Sequence, residues 1–212
     1  MSWIVGPLDL PVRAAQPFAW LTSLDSAEAE SLMARAALTP ADYADFAGRA
    51  DAASRLARRR LVKGLIAGLA DLHPDAVVIG RSTLGAPLVM SPDGWHVSLS
   101  ARWPRLAVAV ARQPVGVDLE RVDQDPPPDD AFTPAERERI AGQPRLALAL
   151  WTAKEAHAKR TGRARLYEAR DIATRAEGGD LFARCRDHAS RCLTIRDGDV
   201  VATLAVRQTD LD

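Results

Sequence analysis

Residues 113–122 are QPVGVDLERV. The run opens apolar and β-branched behind Pro114, and Asp118 and Glu120 then fall at alternate positions around Leu119. A strand turns side chains i and i+2 to one side, so the two carboxylates stand together. Unpaired, they repel and raise each other's pKa. A hard cation such as Mg²⁺, which takes oxygen ligands, resolves that conflict. A strand end in solvent, with Arg121 pairing one carboxylate, resolves it too. Gly116 allows another chain or a ligand close to the backbone.

Outward from this strand the pattern is α+β. Upstream, "AVVIG", "WHVSLS" and "RLAVAVAR" are short β-rich runs separated by Gly, Pro, Asp and Ser. The first third before them reads mostly as helix. "DSAEAESLMARAAL" has a cap candidate at Asp25 with Glu28 three residues on, and "TPADYADF" opens with Thr39 as cap and Pro40 at the first helical position. A longer helix carries Leu56, Leu61, Leu65 and Leu69 and stops at Pro74. Downstream, "DQDPPPDDAF" is a linker, Thr133 to Glu136 form a second capping box, and "RLALALWTAKEAHAKRTG" reads as a helix ending near Gly162. Three or four strands follow, with a turn at Asp197-Gly198. In element order the two parts of the chain echo each other, each a long helix followed by about three strands, without a residue-level repeat.

Bulk composition excludes several classes. The 212 residues are 47% hydrophobic and 26% charged, which is globular. Lys+Arg and Asp+Glu are both 28, so no global field draws the chain to nucleic acid or an anionic membrane. Cys185 and Cys192 match no zinc spacing and read as reduced thiols. "MSWIVGPLDLPVRAAQP" lacks the basic flank and long apolar core of a signal peptide, and "LVKGLIAGLADL" is too short to span a bilayer. The expectation is a soluble, cytoplasmic protein.

A second segment bears on the carboxylates. In "WTAKEAHAK", Trp151, Glu155 and Lys159 lie at i, i+4 and i+8 and share one helix stripe. Trp151 can anchor the stripe, Glu155 can supply a third carboxylate, and Lys159 can reach an anion one turn on. An ordinary Glu–Lys pair on an amphipathic helix accounts for the same spacing.

Together the segments resemble the 4′-phosphopantetheinyl transferase superfamily, in its larger Sfp-like branch. The family's Gly-x-Asp-x-Glu strand stands here as "GVDLE". Its Trp/Phe-Ser/Thr/Cys-x-Lys-Glu-Ala/Ser-x-x-Lys helix stands as "WTAKEAHAK". "RLARRRLVKGLI", "LGAPLV", "WHVSLSARWPRLAVAV" and "FTPAERERI" are similar to further family segments, so the likeness runs from about Arg55 to Gly162.

The resemblance implies two similar α+β halves, 1–113 and 114–212, packed as a pseudo-dimer, with the site between them and a monomer expected. It implies transfer of the 4′-phosphopantetheine arm of coenzyme A to a serine of an apo acyl or peptidyl carrier protein, releasing adenosine 3′,5′-bisphosphate. Asp118, Glu120 and Glu155 are then the ligands of Mg²⁺, with Mn²⁺ the alternative. Glu155 is the candidate base, and Lys159 contacts the pyrophosphate. Arg55 or Arg59 meets the 3′-phosphate, and Ser98 lies among the coenzyme A-binding residues. Glu136 is either a further catalytic carboxylate or simply the acid of its capping box.

Two positions depart from the family pattern. The usual Ser-His-Ser-Gly is Ser98-Leu99-Ser100-Ala101, and the usual Gly-Lys-Pro is Gly85-Ala86-Pro87. Both changes remove a donor from the nucleotide side. Losing a charge-assisted hydrogen bond costs about 1.5–3 kcal/mol. His96 projects to the opposite face from position 99 and cannot replace it, which leaves Arg102 or Arg105 as compensating groups. A catalytically silent relative that binds carrier protein or nucleotide is the alternative reading. A metal-dependent phosphodiesterase ranks behind it, because aromatic content is only 5% and no nucleic-acid surface is evident.

Overall fold

The structure is a computed structural model describing residues 1–8 and 17–208. Residues 9–16 of the N-terminal stretch discussed above, and the last four residues, lie outside it. The first sheet is built from β1 (Ser2–Val5), β2 (Phe18–Ser23), β5 (His96–Arg102) and β6 (Arg105–Ala111), in the order β1-β2-β6-β5. β1 lies parallel to β2 and the other pairs are antiparallel. A separate hairpin joins β3 (Val78–Arg81) to β4 (Pro87–Ser91). The second sheet is antiparallel, in the order β7-β11-β10-β9-β8. Its strands are β7 (Val115–Arg121), β8 (Ala173–Glu177), β9 (Asp180–Cys185), β10 (His188–Asp197) and β11 (Val200–Arg207).

Among the described residues, five α-helices accompany the sheets: α1 (Ala27–Arg35), α2 (Pro40–Phe46), α3 (Ala52–Ala70), α4 (Pro134–Ile140) and α5 (Pro144–Arg160). The expected α+β class holds. The first third is not all helix, however, because β1 and β2 precede α1. Residues 18–22 of β2 are buried. A strand covered on both faces reads as a continuous apolar run without alternation, which hid it in the sequence. The cap of α1 is Ser26, whose Oγ accepts from the Ala29 N–H at 3.2 Å, rather than Asp25. α3 ends at Asp71, which takes the left-handed conformation at φ 54, before Pro74 is reached.

Alternation along the strands sorts the side chains into layers. On one face of the first sheet, Phe18, Trp20, Leu106, Val108 and Val110 pack with Leu61, Leu65 and Ile66 of α3. On the other, Ala19, Leu21, Ala107, Ala109 and Ala111 meet Val115, Val117, Leu119, Ala202 and Leu204 of the second sheet. Alanines here let the sheets approach closely. The far face of the second sheet packs on α5, with Ala153 and Ala156 against Ala183, Cys192 and Ala205. The order is therefore α3, sheet, sheet, α5. Both cysteines are free and buried, and burial pushes the Cys192 thiol up to about 12. Among the described residues no helix is long and apolar enough to cross a membrane.

Candidate functional site

Val115, Val117 and Leu119 of β7 point into the sheet–sheet core, so Gly116, Asp118 and Glu120 face α5. A Cβ at Gly116 would collide with the Ala156 carbonyl oxygen and the Arg160 amide. The close neighbour that this glycine admits is the backbone of α5. It sets the helix directly on the strand and brings the stripe Trp151, Glu155, Lys159 to the two carboxylates.

The edge of the first sheet reaches the same spot. The Ser98 hydroxyl accepts from the Val117 N–H at 3.0 Å, and Ser100 donates to Asp118 Oδ1 at 2.9 Å. Arg102 makes a bidentate pair with Glu120 at 2.6 and 2.7 Å. These three side chains alternate along β5 and form a ladder onto β7. From α5, Lys159 Nζ donates to Asp118 Oδ1 at 2.6 Å and to Ser100 Oγ at 3.2 Å, while the Trp151 indole donates to Glu120 Oε1 at 3.2 Å.

Electrostatics mark this as a strained cluster of negative charge. Burial pushes Asp118 above the usual carboxylate range despite Lys159, and Glu120 adds to the rise. Glu155 is raised as well, by burial first and then by the charges of Asp118 and Glu120. Asp118 Oδ2 is buried with no hydrogen-bond partner, and the Glu155 carboxylate has none among the described residues. A divalent cation suits this donor set chemically: it would satisfy the orphaned oxygen and relieve the mutual repulsion. In the conformation seen, Lys159 and Arg102 occupy Asp118 and Glu120. Among the described residues no three His, Cys, Asp or Glu side chains converge closely enough to hold a metal ion.

Other residues of "WTAKEAHAK" turn the opposite way. Lys154 is fully buried and donates to Glu136 Oε2 at 2.6 Å and to the carbonyls of Ala131 and Ala169. Glu136 closes its capping box with Thr133 and also accepts from the Thr174 amide and hydroxyl. Burial alone would raise its pKa, but the Lys154 and Thr174 hydrogen bonds hold it below the usual range. Of the two readings of Glu136, the capping and supporting one fits this arrangement. His157 is likewise structural: buried and beside Arg160, it is pushed down to about 4 and bonds Ser190.

A cavity of about 630 Å³ opens beside Lys159, between α3, the β3–β4 hairpin, β5 and the turn after α5. Among the described residues its wall contains no acidic side chain. Arg55, Ser98 and Lys159, which the resemblance assigns to coenzyme A, line it, and so do the two departures, Ala86 and Leu99. Arg59 borders the cavity, but its guanidinium is buried and committed to Asp42, Asp45 and the Ile79 carbonyl. Ser98 accepts from backbone across the sheet junction. Neither Arg102 nor Arg105 compensates for Ala86 and Leu99: the first pairs with Glu120, the second with Asp197. Further cations in the wall are Arg58, Arg81, Arg160, Arg163 and Arg165. Their roles depend on tertiary placement, and only the clustering of arginine after Lys159 hinted at the last two.

Residues 114–205 match the family model of the 4′-phosphopantetheinyl transferase superfamily. The chain is also 27% identical over 156 residues to the 4′-phosphopantetheinyl transferase psf-1 of Bacillus pumilus, an alignment covering 68% of this chain and 65% of that protein. Over those residues the chain is thus similar to the 4′-phosphopantetheinyl transferase superfamily. It spans a little less than two thirds of the length of the curated relative it matches.

Proposed function

We propose that the chain transfers the 4′-phosphopantetheine arm of coenzyme A to a serine of an apo acyl or peptidyl carrier protein, as a monomeric, cytoplasmic, Sfp-like holo-carrier-protein synthase. The supporting observation is the junction of two features at Lys159. An acid-free cavity lined by cations ends where a buried carboxylate cluster begins, and Lys159 belongs to both. Coenzyme A has that polarity, with phosphates to be held and a pyrophosphate to be cleaved. Residues 1–113 and 114–212 are the two halves in this reading, and the site lies along their junction.

Asp118, Glu120 and Glu155 would hold Mg²⁺ or Mn²⁺. The cation supplies neutralisation of charge on the pyrophosphate and the leaving phosphate. The chain's residues do the rest. Lys159 gives up Asp118 to place its point charge on the pyrophosphate. Glu155, whose pKa is raised by burial and by its acidic neighbours, accepts the proton of the incoming serine hydroxyl. The serine oxygen bonds to phosphorus as the bond to adenosine 3′,5′-bisphosphate breaks. The hydrophobic packing of Leu99 against the core and the small Ala86 leave recognition of the nucleotide to the surrounding arginines.

The test is incubation with coenzyme A, Mg²⁺ and a panel of apo carrier proteins, followed by mass spectrometry. Gain of one phosphopantetheine on a carrier is expected. D118A should lower the rate at least about a hundredfold, as loss of a buried electrostatic group does, with an unchanged circular dichroism spectrum. Carrier binding without any mass gain would instead identify a silent family member.

A further inference from the structure

Six cationic side chains of the cavity wall are already in use. Arg55 donates to Asp51, Arg58 to the Ser54 carbonyl, and Arg59 to Asp42 and Asp45. Arg81 holds the carbonyls of Gly85 and Asp45, Lys159 holds Asp118, and Arg160 holds Ser190. Arg163 and Arg165 differ. Their guanidinium groups have no hydrogen-bond or ion-pair partner among the described residues, although both line the cavity. Both residues are exposed on the turn that follows α5.

Their position matters as much as their freedom. The turn Ser82–Ala86 closes through Gly85 N–H to the Ser82 carbonyl at 2.8 Å and the Ala86 N–H to Ser82 Oγ at 3.1 Å. Gly85 has φ +85, and a Cβ built on it would stand 3.3 Å from Arg165 Nη2. The guanidinium therefore lies over the hairpin turn that bears Ala86. A free planar fork on an exposed turn, facing an acid-free cavity, is matched to a phosphate oxygen pair.

We infer that Arg163 and Arg165 form a phosphate clamp that closes on the β3–β4 turn from the other half of the molecule. They supply the cationic contact that Ala86 and Leu99 do not. The clamp rests on the proposed coenzyme A reading for the identity of its ligand. It makes the turn after α5 a determinant of nucleotide specificity, and it places affinity for the phosphates on residues outside the signature segments.

Isothermal titration of the full chain with coenzyme A, and separately with inorganic pyrophosphate, tests it in wild type, R165A, R163A/R165A and R165K. Loss of about tenfold in coenzyme A affinity for R165A, and about a hundredfold for the double variant, is expected for removal of charged phosphate contacts. R165K should restore only part, because a lysine cannot make the bidentate contact. The melting temperature should not move, since neither side chain holds the fold. Affinities of the double variant within about twofold of wild type for both probes overturn the clamp, while carrier loading by wild type still upholds the transferase reading. Pyrophosphate binding that depends on the arginines, in a chain that neither binds coenzyme A nor loads a carrier, upholds the clamp and overturns that reading. Wild type binding neither probe overturns both.

Discussion

Helices α3 and α5 are each braced by a short helix that begins Thr-Pro-Ala and continues with an acid. Before α3 the segment is Thr39-Pro40-Ala41-Asp42, and before α5 it is Thr133-Pro134-Ala135-Glu136. Both are capping boxes, and in both the acid is buried against a lysine of the long helix. Lys63 lies 3.3 Å from Asp42 and Lys154 lies 2.6 Å from Glu136. The next residue separates the two helices. After Lys63 comes Gly64, where a Cβ would collide with the Leu32 carbonyl of α1. After Lys154 comes Glu155, turned toward Asp118 and Glu120. One support serves twice, and what covers the helix beside it decides whether that position closes against protein or carries chemistry.

The largest expected effect tests whether the two supports are equivalent. K154A leaves Glu136 buried and without its cation, and breaking such a pair costs about 3–5 kcal/mol. K63A should cost less, because Asp42 keeps its 2.8 Å pair with Arg59. Urea denaturation of both variants measures the difference, and equal losses would break the distinction. Next in size are the glycines. G116A and G64A each force a methyl group into an opposing backbone, a strain of about 1–3 kcal/mol. Only G116A should also disturb the carboxylates, by lifting α5 from β7. Thermal melts paired with Mg²⁺ titration would separate the two.

The smallest effect is in pH, and its sign is opposite on the two sides of α5. The folded pKa of Glu136 is lowered, so its contribution is present above the unfolded value near ~4.3 and is lost as pH falls through the folded value. The folded pKa of Glu155 is raised. Its ionised form disfavours the fold, and that penalty grows as pH rises from ~4.3 through the raised value. The stability of wild type minus E136Q should therefore climb with pH, and that of wild type minus E155Q should decline. Melting temperatures of the three proteins across acidic pH without added metal check both slopes.

The carboxylate site was largely visible in the sequence because its geometry is local. Period two put Asp118 and Glu120 together, and spacing of four aligned Trp151, Glu155 and Lys159. Gly116 marks a point of close approach in the sequence, but only the fold brings α5 to it. The support was missed even though Thr-Pro-Ala-acid appears twice, because four residues are too few to stand out until Lys63 and Lys154 are seen on them. The resemblance offers Arg59, with Arg55, as a phosphate ligand. Its true partners, Asp42 and Asp45, come from another helix that periodicity cannot bring near. β2 escaped because burial on both faces erased its alternation.

The ladder from Ser98, Ser100 and Arg102 to β7 also bears on when the carboxylate cluster comes into being. Asp118 and Glu120 draw partners from a strand that precedes them and from α5, which follows. Neither sheet alone can set their positions. During synthesis, β7 emerges after Ser100 and Arg102 of β5, but Asp118 lacks Lys159 and Glu120 lacks Trp151 until α5 has been made and docked. A chain truncated before Lys159 would carry two crowded carboxylates and no organised site. Completion of the cluster is thus a late event in maturation, one that requires the whole chain, rather than either sheet, to have folded.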